Sequence, residues 1–124
     1  MEVVLGRELL HEMLNFAKER HPKEAILLLR GKIDKERINI TEYLFPPYAT
    51  TNSVYATFPL HMLPIDFSII GTAHSHPSGS LKLSAEDMNN VYGRISLLIV
   101  YPYGEGDVGA FNKQSERVML RIID

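Results

Sequence analysis

Two almost unbroken apolar runs constrain the fold of this chain more than any other feature of its sequence. Ala25–Leu29 and Ile95–Tyr101 each have the composition of a β-strand, and the first is expected to stop at Gly31. A strand without polar alternation has to be covered on both faces. The two runs therefore predict a sheet with covering elements on both sides.

Two segments have the helical spacing needed to cover such a sheet. In Arg7–Arg20 the apolar residues recur every three to four positions, and His21-Pro22 should end the helix because a residue before proline avoids helical angles. Ser84–Gly93 is the second predicted helix, with Ser84 as its N-cap and Gly93 at its C-terminal stop.

Further strands are predicted from alternating or β-branched segments. Arg37–Phe45 would form a hairpin with Lys32–Lys35, whereas the proline-containing Phe45–Asn52 is expected to be a surface loop. The remaining predicted strands are Val54–Phe58, Phe67–Ser75, Val108–Asn112 and Arg117–Ile123. Together these elements predict an α/β fold in a single domain, residues 1–124, with one sheet and helices against its faces.

Composition excludes several functional classes. The 124 residues contain no cysteine, which excludes a disulfide scaffold, a thiol nucleophile and cysteine-ligated zinc. Thirteen Lys plus Arg against 15 Asp plus Glu give a net charge of −2, with no basic block, so nucleic acid is not an expected partner. Without an apolar leader or a membrane-length apolar stretch, the expectation is a cytoplasmic protein that does not bind a membrane.

The segment His74-Ser75-His76-Pro77 carries the chemistry. Histidines at positions i and i+2 of a strand point to the same face, and Asp87, in the first turn of the second helix, would add an anionic ligand. Two histidines and a carboxylate form a common ligand set of catalytic zinc, although iron or cobalt would also fit. Ser84-x-x-Asp87 also resembles a helix capping box, a structural role that can coexist with metal binding.

Hydrolysis at such a metal needs a proton acceptor, and two carboxylates are candidates. Glu86 adjoins Asp87 in sequence and would therefore point about 100° away around the helix, toward solvent. Glu24 stands at the start of a buried strand, where a carboxylate is costly without a task or a partner. Glu24 is the preferred candidate, with a solvated strand-end charge as the alternative.

These residues resemble the JAMM or MPN-plus metalloproteases, and most closely their short archaeal, desampylase-like members. The resemblance is carried by Pro22-x-Glu24 with Leu28 and Gly31, by Gly71-Thr72-x-His74-Ser75-His76-Pro77, and by Ser84 and Asp87 at the family's spacing. It extends over nearly the whole chain. The fold it implies is the MPN domain, a curved, mixed, cytidine-deaminase-like sheet between helices.

The resemblance also implies roles for individual residues. His74, His76 and Asp87 would bind Zn²⁺, and Glu24 would take a proton from the metal-bound water and pass it to the leaving amine. Ser84 would stabilise the tetrahedral oxyanion. The implied activity is that of an isopeptidase or peptidase that cleaves after the C-terminal Gly-Gly of a ubiquitin-like small modifier protein. Such a modifier and its conjugates are thus the expected partners.

Several alternatives remain open at this stage. A metal-free MPN scaffold would predict broken ligands, a RadC-like protein would usually carry a DNA-binding module, and processing of a sulfur-carrier C-terminus would use the same site. Thr57–Met62 and Ser78–Leu83 are the expected substrate-contacting segments. Met62 and Leu63 are candidates for an apolar patch used in a homodimer or in substrate docking, with core packing as the default explanation.

Overall fold

A seven-stranded mixed sheet is the framework of the protein, seen in a computed structural model that describes residues 1–46, 50–51, 56–57, 68–82 and 93–124. The strands of this sheet are β1 (Glu2–Gly6), β2 (Ile26–Asp34), β3 (Arg37–Leu44), β6 (Ile69–His76), β7 (Ile95–Val100), β8 (Val108–Asn112) and β9 (Arg117–Ile123). A separate two-stranded ladder pairs β4 (Thr50–Thr51) with β5 (Ala56–Thr57).

The strand order is β1-β3-β2-β6-β7-β8-β9, and the sheet closes because β1 pairs with β9 as well as with β3. Both pairings of β1 are parallel, as is β6 with β7, and the other neighbours are antiparallel. The expected α/β fold with a curved mixed sheet is therefore confirmed.

The helix α1 spans Arg7–Arg20, the range predicted from its apolar spacing. It buries Leu10, Met13, Leu14 and Ala17 against the sheet. It ends where His21 donates its backbone N–H to the carbonyls of Ala17 and Lys18, just before Pro22. The second predicted helix, Ser84–Gly93, has only Gly93 within the described residues and stays a prediction.

The expected stop of the β2 strand at Gly31 is wrong. The strand continues to Asp34, and Gly31 instead marks a register shift against β3. A Cβ atom at Gly31 would lie 2.1 Å from the carbonyl oxygen of Asn39, so glycine permits the close approach of two backbones there. The predicted hairpin with β3 is confirmed, since Asp34 pairs with Arg37.

Three other expectations need correction or completion. Glu2–Gly6, for which no element was predicted, is the strand β1 that closes the sheet. Phe45–Asn52 is not entirely loop, because Thr50–Thr51 forms β4. The expected strand Val54–Phe58 is described only as the short β5.

The core lies on two sides of the sheet. The larger cluster includes α1 and the inward residues Leu97 and Ile99 of β7, whereas Leu98, Val100 and Phe111 form a small cluster with Leu81 packed against it. This confirms that β7 is covered on both faces, since all of its residues are buried. Within the part of the chain that is described, no helix is long and apolar enough to cross a membrane.

Candidate metal centre

The strand β6 places His74 and His76 side by side near its C-terminal end. They pair in register with Leu98 and Val100 of the parallel strand β7, so the two rings share the face of the small apolar cluster. Both are buried, with 3% and 7% of their surface exposed. The expectation that the two histidines share one face is thus confirmed.

The ring of His76 is held in a defined orientation by the loop that follows it. Its Nδ1 lies 3.0 Å from the carbonyl oxygen of Ser80, an atom that can only accept a hydrogen bond. In the neutral ring the proton therefore sits on Nδ1, and Nε2 keeps the lone pair that a metal needs. This donor arrangement fits zinc binding.

The loop itself is fixed by the backbone of His76. The carbonyl oxygen of His76 accepts hydrogen bonds from the N–H groups of Gly79 and Tyr101, at 3.2 and 3.1 Å. Gly79 has a φ of +81°, a conformation that glycine adopts without strain. The turn after Pro77 therefore brings Ser80 back to the ring of His76.

Glu24 is half-buried and lies two residues before β2, with the buried Ala25 between them. The next residue, Ala25, is joined to Ser75 by two hydrogen bonds, and Ser75 lies between the two histidines in sequence. The structure therefore brings the backbone beside Glu24 to the strand that carries the histidines. The sequence favoured Glu24 as the proton acceptor of this site, but it gave no indication of the contact between Ala25 and Ser75, which are 50 positions apart.

The rings of His21, Tyr101 and Tyr103 form a cluster next to the backbone of His76, whose carbonyl accepts a hydrogen bond from Tyr101. The ring of His21 stacks on Tyr101, with centroids 5.1 Å apart, and its Nδ1 is 2.6 Å from the hydroxyl of Tyr103. Burial raises the pKa of the Tyr103 hydroxyl, whose residue is only 3% exposed. The segment Tyr101-Pro102-Tyr103 is thus a turn with packed rings, since the centroids of Tyr101 and Tyr103 are 5.8 Å apart.

The remaining predicted site residues, Ser84 and Asp87, lie outside the described residues, as do Glu86 and Met62–Leu63. Within residues 1–46, 68–82 and 93–124, no group of three or more His, Cys, Asp or Glu side chains is close enough to hold a metal ion. The assignment of Asp87 as third ligand and of Ser84 as oxyanion donor therefore stays a prediction.

Two contributors to the site were missed by reasoning from the sequence. The carbonyl of Ser80 orients His76, and the hydroxyl of Ser75 contacts the backbone beside Glu24. Strand alternation gave a signal for Ser75, because a residue between two histidines that share one face has to face the opposite side. Backbone carbonyls such as that of Ser80 leave no such signal.

Comparison with known proteins places this arrangement in a family. Residues 6–115 match the family described as prokaryotic homologs of the JAB domain. The chain belongs to this family. The chain is also 33% identical over 131 residues to a protein of Haloferax volcanii named "Probable metalloprotease". The alignment covers 99% of this JAB domain and 81% of that protein.

Solved structures agree with the JAB assignment. One described as "JAMM: A Metalloprotease-like Zinc Site in the Proteasome and Signalosome" superposes with a TM-score of 0.73 at 30% identity, over all of both chains. A JAB1/MPN domain protein from Archaeoglobus fulgidus gives a TM-score of 0.70 at 30% identity, over 98% of each chain. The predicted resemblance to the JAMM/MPN family is confirmed.

Proposed function

We propose that this chain is a zinc-dependent isopeptidase that cleaves after the C-terminal Gly-Gly of ubiquitin-like small modifier proteins. The observation that carries the proposal is the buried pair His74 and His76 on one face of β6 in a JAB domain. Membership in this family, together with relatives described as a probable metalloprotease and a metalloprotease-like zinc site, supports a JAMM-type metalloprotease. The choice of a ubiquitin-like modifier as substrate is more specific than the metalloprotease activity and is tested separately below.

The residues available fit a zinc ion. His74 and His76 would bind it through imidazole nitrogens, with Asp87 as the third ligand. When bound, zinc lowers the pKa of a water molecule and polarises the carbonyl of the scissile bond. The hydrogen bond to the Ser80 carbonyl supports this assignment, because a neutral ring that donates from Nδ1 carries its lone pair on Nε2.

Glu24 is the proposed general base and acid. Its carboxylate would take a proton from the attacking water and deliver it to the leaving amine, so that the lysine or peptide nitrogen departs uncharged. Its position immediately before Ala25, which is bonded to the histidine-bearing strand, supports this role. Ser84 would donate its hydroxyl hydrogen to the oxyanion that forms at the scissile carbonyl.

The Gly-Gly tail would have to lie extended to reach the histidines. An extended peptide is recognised by backbone pairing beside a strand, and glycines suit a passage with no room for side chains. Thr57–Met62 and Ser78–Leu83 are the proposed contact segments. In the second segment, residues 78–82 are described. They follow Pro77 in sequence, and the carbonyl oxygen of Ser80 contacts the ring of His76.

The decisive experiment incubates the purified protein with a Gly-Gly-tailed modifier fused to a reporter, with and without a chelator. Bound metal is measured in the same sample by elemental analysis. One zinc per chain and chelator-sensitive cleavage at the Gly-Gly terminus would support the enzyme. No metal would instead support a non-catalytic scaffold.

A second substrate distinguishes the two forms of the activity. A conjugate on a lysine side chain and a linear fusion present the same tail but different leaving nitrogens. Faster cleavage of the lysine conjugate would indicate removal of modifiers from their targets. Faster cleavage of the linear fusion would indicate processing of a precursor such as a sulfur-carrier protein.

A further inference from the structure

Ser75 separates the two histidines in sequence but faces the other side of β6. Ala73, two positions before Ser75 and therefore on the same face, belongs to the larger core cluster. His74 and His76 share the opposite face with Leu98 and Val100. Ser75 is 1% exposed. Its hydroxyl therefore cannot act on a substrate bound at the histidine face, and another explanation is needed for a polar group in the core.

Two hydrogen bonds connect Ser75 to Ala25. The Ala25 N–H donates to Ser75 Oγ at 2.7 Å, and the Ser75 N–H donates to the Ala25 carbonyl at 3.0 Å. The second bond extends the antiparallel ladder in which Ile26 pairs with His74. The first is not a ladder bond, because a side chain supplies the acceptor.

The bond from Ala25 acts directly on Glu24. The amide nitrogen of Ala25 lies in the same planar peptide unit as the Cα and carbonyl of Glu24. Fixing that N–H in direction therefore fixes the peptide plane from which Glu24 extends. Without the hydroxyl, the ladder bond would still hold the carbonyl of Ala25, but the Glu24–Ala25 peptide unit would lose this restraint on the ψ angle of Glu24.

We propose that Ser75 is a positioning residue, whose hydroxyl holds the Glu24–Ala25 peptide unit so that Glu24 faces the site of the two histidines. The inference deepens the proposed function and rests on it for the role of Glu24. It explains why a buried polar residue lies between two metal ligands on the opposite face.

Water cannot readily replace the hydroxyl. The cavity beside Ser75 and Ala25 has a volume of about 10 Å³ and is lined largely by apolar side chains, including Met13, Phe16 and Leu27. A bound water needs two or more polar partners, which a largely apolar lining does not supply. Removing the hydroxyl should thus leave the Ala25 N–H without an acceptor.

The test compares Ser75→Ala with Ser75→Thr, which keeps the hydroxyl, and with the matched control Thr72→Val. Thr72 is buried on the same strand, and its hydroxyl has no hydrogen-bond partner among the described residues. All variants are assayed with the Gly-Gly-tailed modifier fused to a reporter, and bound zinc is measured in each. Should Ser75→Ala fail to fold, Ser75→Cys provides a weaker acceptor of similar size.

For Ser75→Ala, or Ser75→Cys in its place, we expect kcat to fall about 10- to 100-fold while KM and zinc content stay within about twofold of wild type. Ser75→Thr should recover most of the loss, and Thr72→Val should match wild type. The proposal would be overturned by an unchanged kcat in the hydroxyl-free variant or by an equal fall in kcat in Thr72→Val. It would also be overturned if kcat fell only in proportion to a fall in bound zinc.

Amide hydrogen exchange at Ala25 provides a readout independent of activity. Exchange should be at least about tenfold faster in Ser75→Ala than in wild type and unchanged in Thr72→Val. Wild type that binds zinc and cleaves nothing would contradict the proposed function. In that case the exchange rate alone decides whether Ser75 holds the peptide unit, and an unchanged rate would overturn it.

Discussion

Gly71 and Ile95 lie opposite each other at the parallel pairing of β6 with β7, and a Cβ atom on Gly71 would stand 2.0 Å from the carbonyl oxygen of Ile95. The obstacle is backbone, so it cannot move aside as a flexible side chain would. The absence of a side chain at Gly71 thus lets the histidine-bearing strand lie against its neighbour.

Gly71→Ala is therefore expected to lower the free energy of unfolding by about 1–3 kcal/mol, because the two strands must separate. Gly106, in the turn before β8, has open space around its Cα and gives the matched control. Gly106→Ala should change stability by less than about 1 kcal/mol. Urea denaturation measures both, and equal values for the two variants would contradict the packing argument.

Glu24→Gln is expected to lower turnover by about 10²- to 10⁴-fold without loss of zinc, since the amide cannot accept the proton of the attacking water. The change removes a charge but keeps the shape of the side chain. Glu19→Gln, on the exposed face of α1, makes the same chemical change elsewhere. Full activity of Glu24→Gln would remove Glu24 from the mechanism.

His76→Ala and Asp87→Ala should each lose the stoichiometric zinc, whereas His11→Ala on the exposed part of α1 should retain it. The domain should stay folded in all three variants, because a large apolar cluster stabilises it without a metal. Elemental analysis and circular dichroism measure the two properties. Unfolding upon chelation of the wild-type protein would contradict this prediction.

A cluster of charged side chains links α1 to the turn before β8 and to the C-terminal residue. Glu105 forms an ion pair with Arg7 and a hydrogen bond with the His11 ring, both on α1, and Arg7 also pairs with Asp124 at the C-terminus. Hydrogen bonds from Arg7 and then His11 lower the pKa of the Glu105 carboxyl. A carboxyl with a lowered pKa in the folded state stabilises the fold while ionised and loses that contribution as the pH falls.

Glu105→Gln should consequently lower Tm at pH 7. The difference from wild type should shrink as the pH falls below about 4.3, the value for an unfolded glutamate, and through the lower pKa of the folded state. Thermal unfolding at low salt measures it, with Glu36→Gln in the exposed β2–β3 turn as the control. A difference that stays constant down to pH 2 would exclude this contribution of Glu105.

The elements that could be predicted are those whose pattern is local. The bounds of α1 followed from apolar spacing and the proline after His21, and β8 and β9 from short runs between turn residues. The predictions that failed depend on long-range contacts. β1 was not predicted because it is defined by its pairing with β3 and β9. Gly31 in the sequence predicts the end of a strand, whereas in the structure it permits close contact with the backbone of Asn39.

The sequence by itself determined which side chains are able to bind a metal. Two histidines separated by one residue on a strand have to share a face, and the absence of cysteine leaves His, Asp and Glu as the side chains that could serve as ligands. Only the tertiary structure decided what surrounds them: the Ser80 carbonyl at His76 and the Ser75 hydroxyl at the peptide of Glu24. The physical reason is that alternation along a strand is set by neighbouring residues, whereas these hydrogen bonds depend on a turn and on the register between β2 and β6.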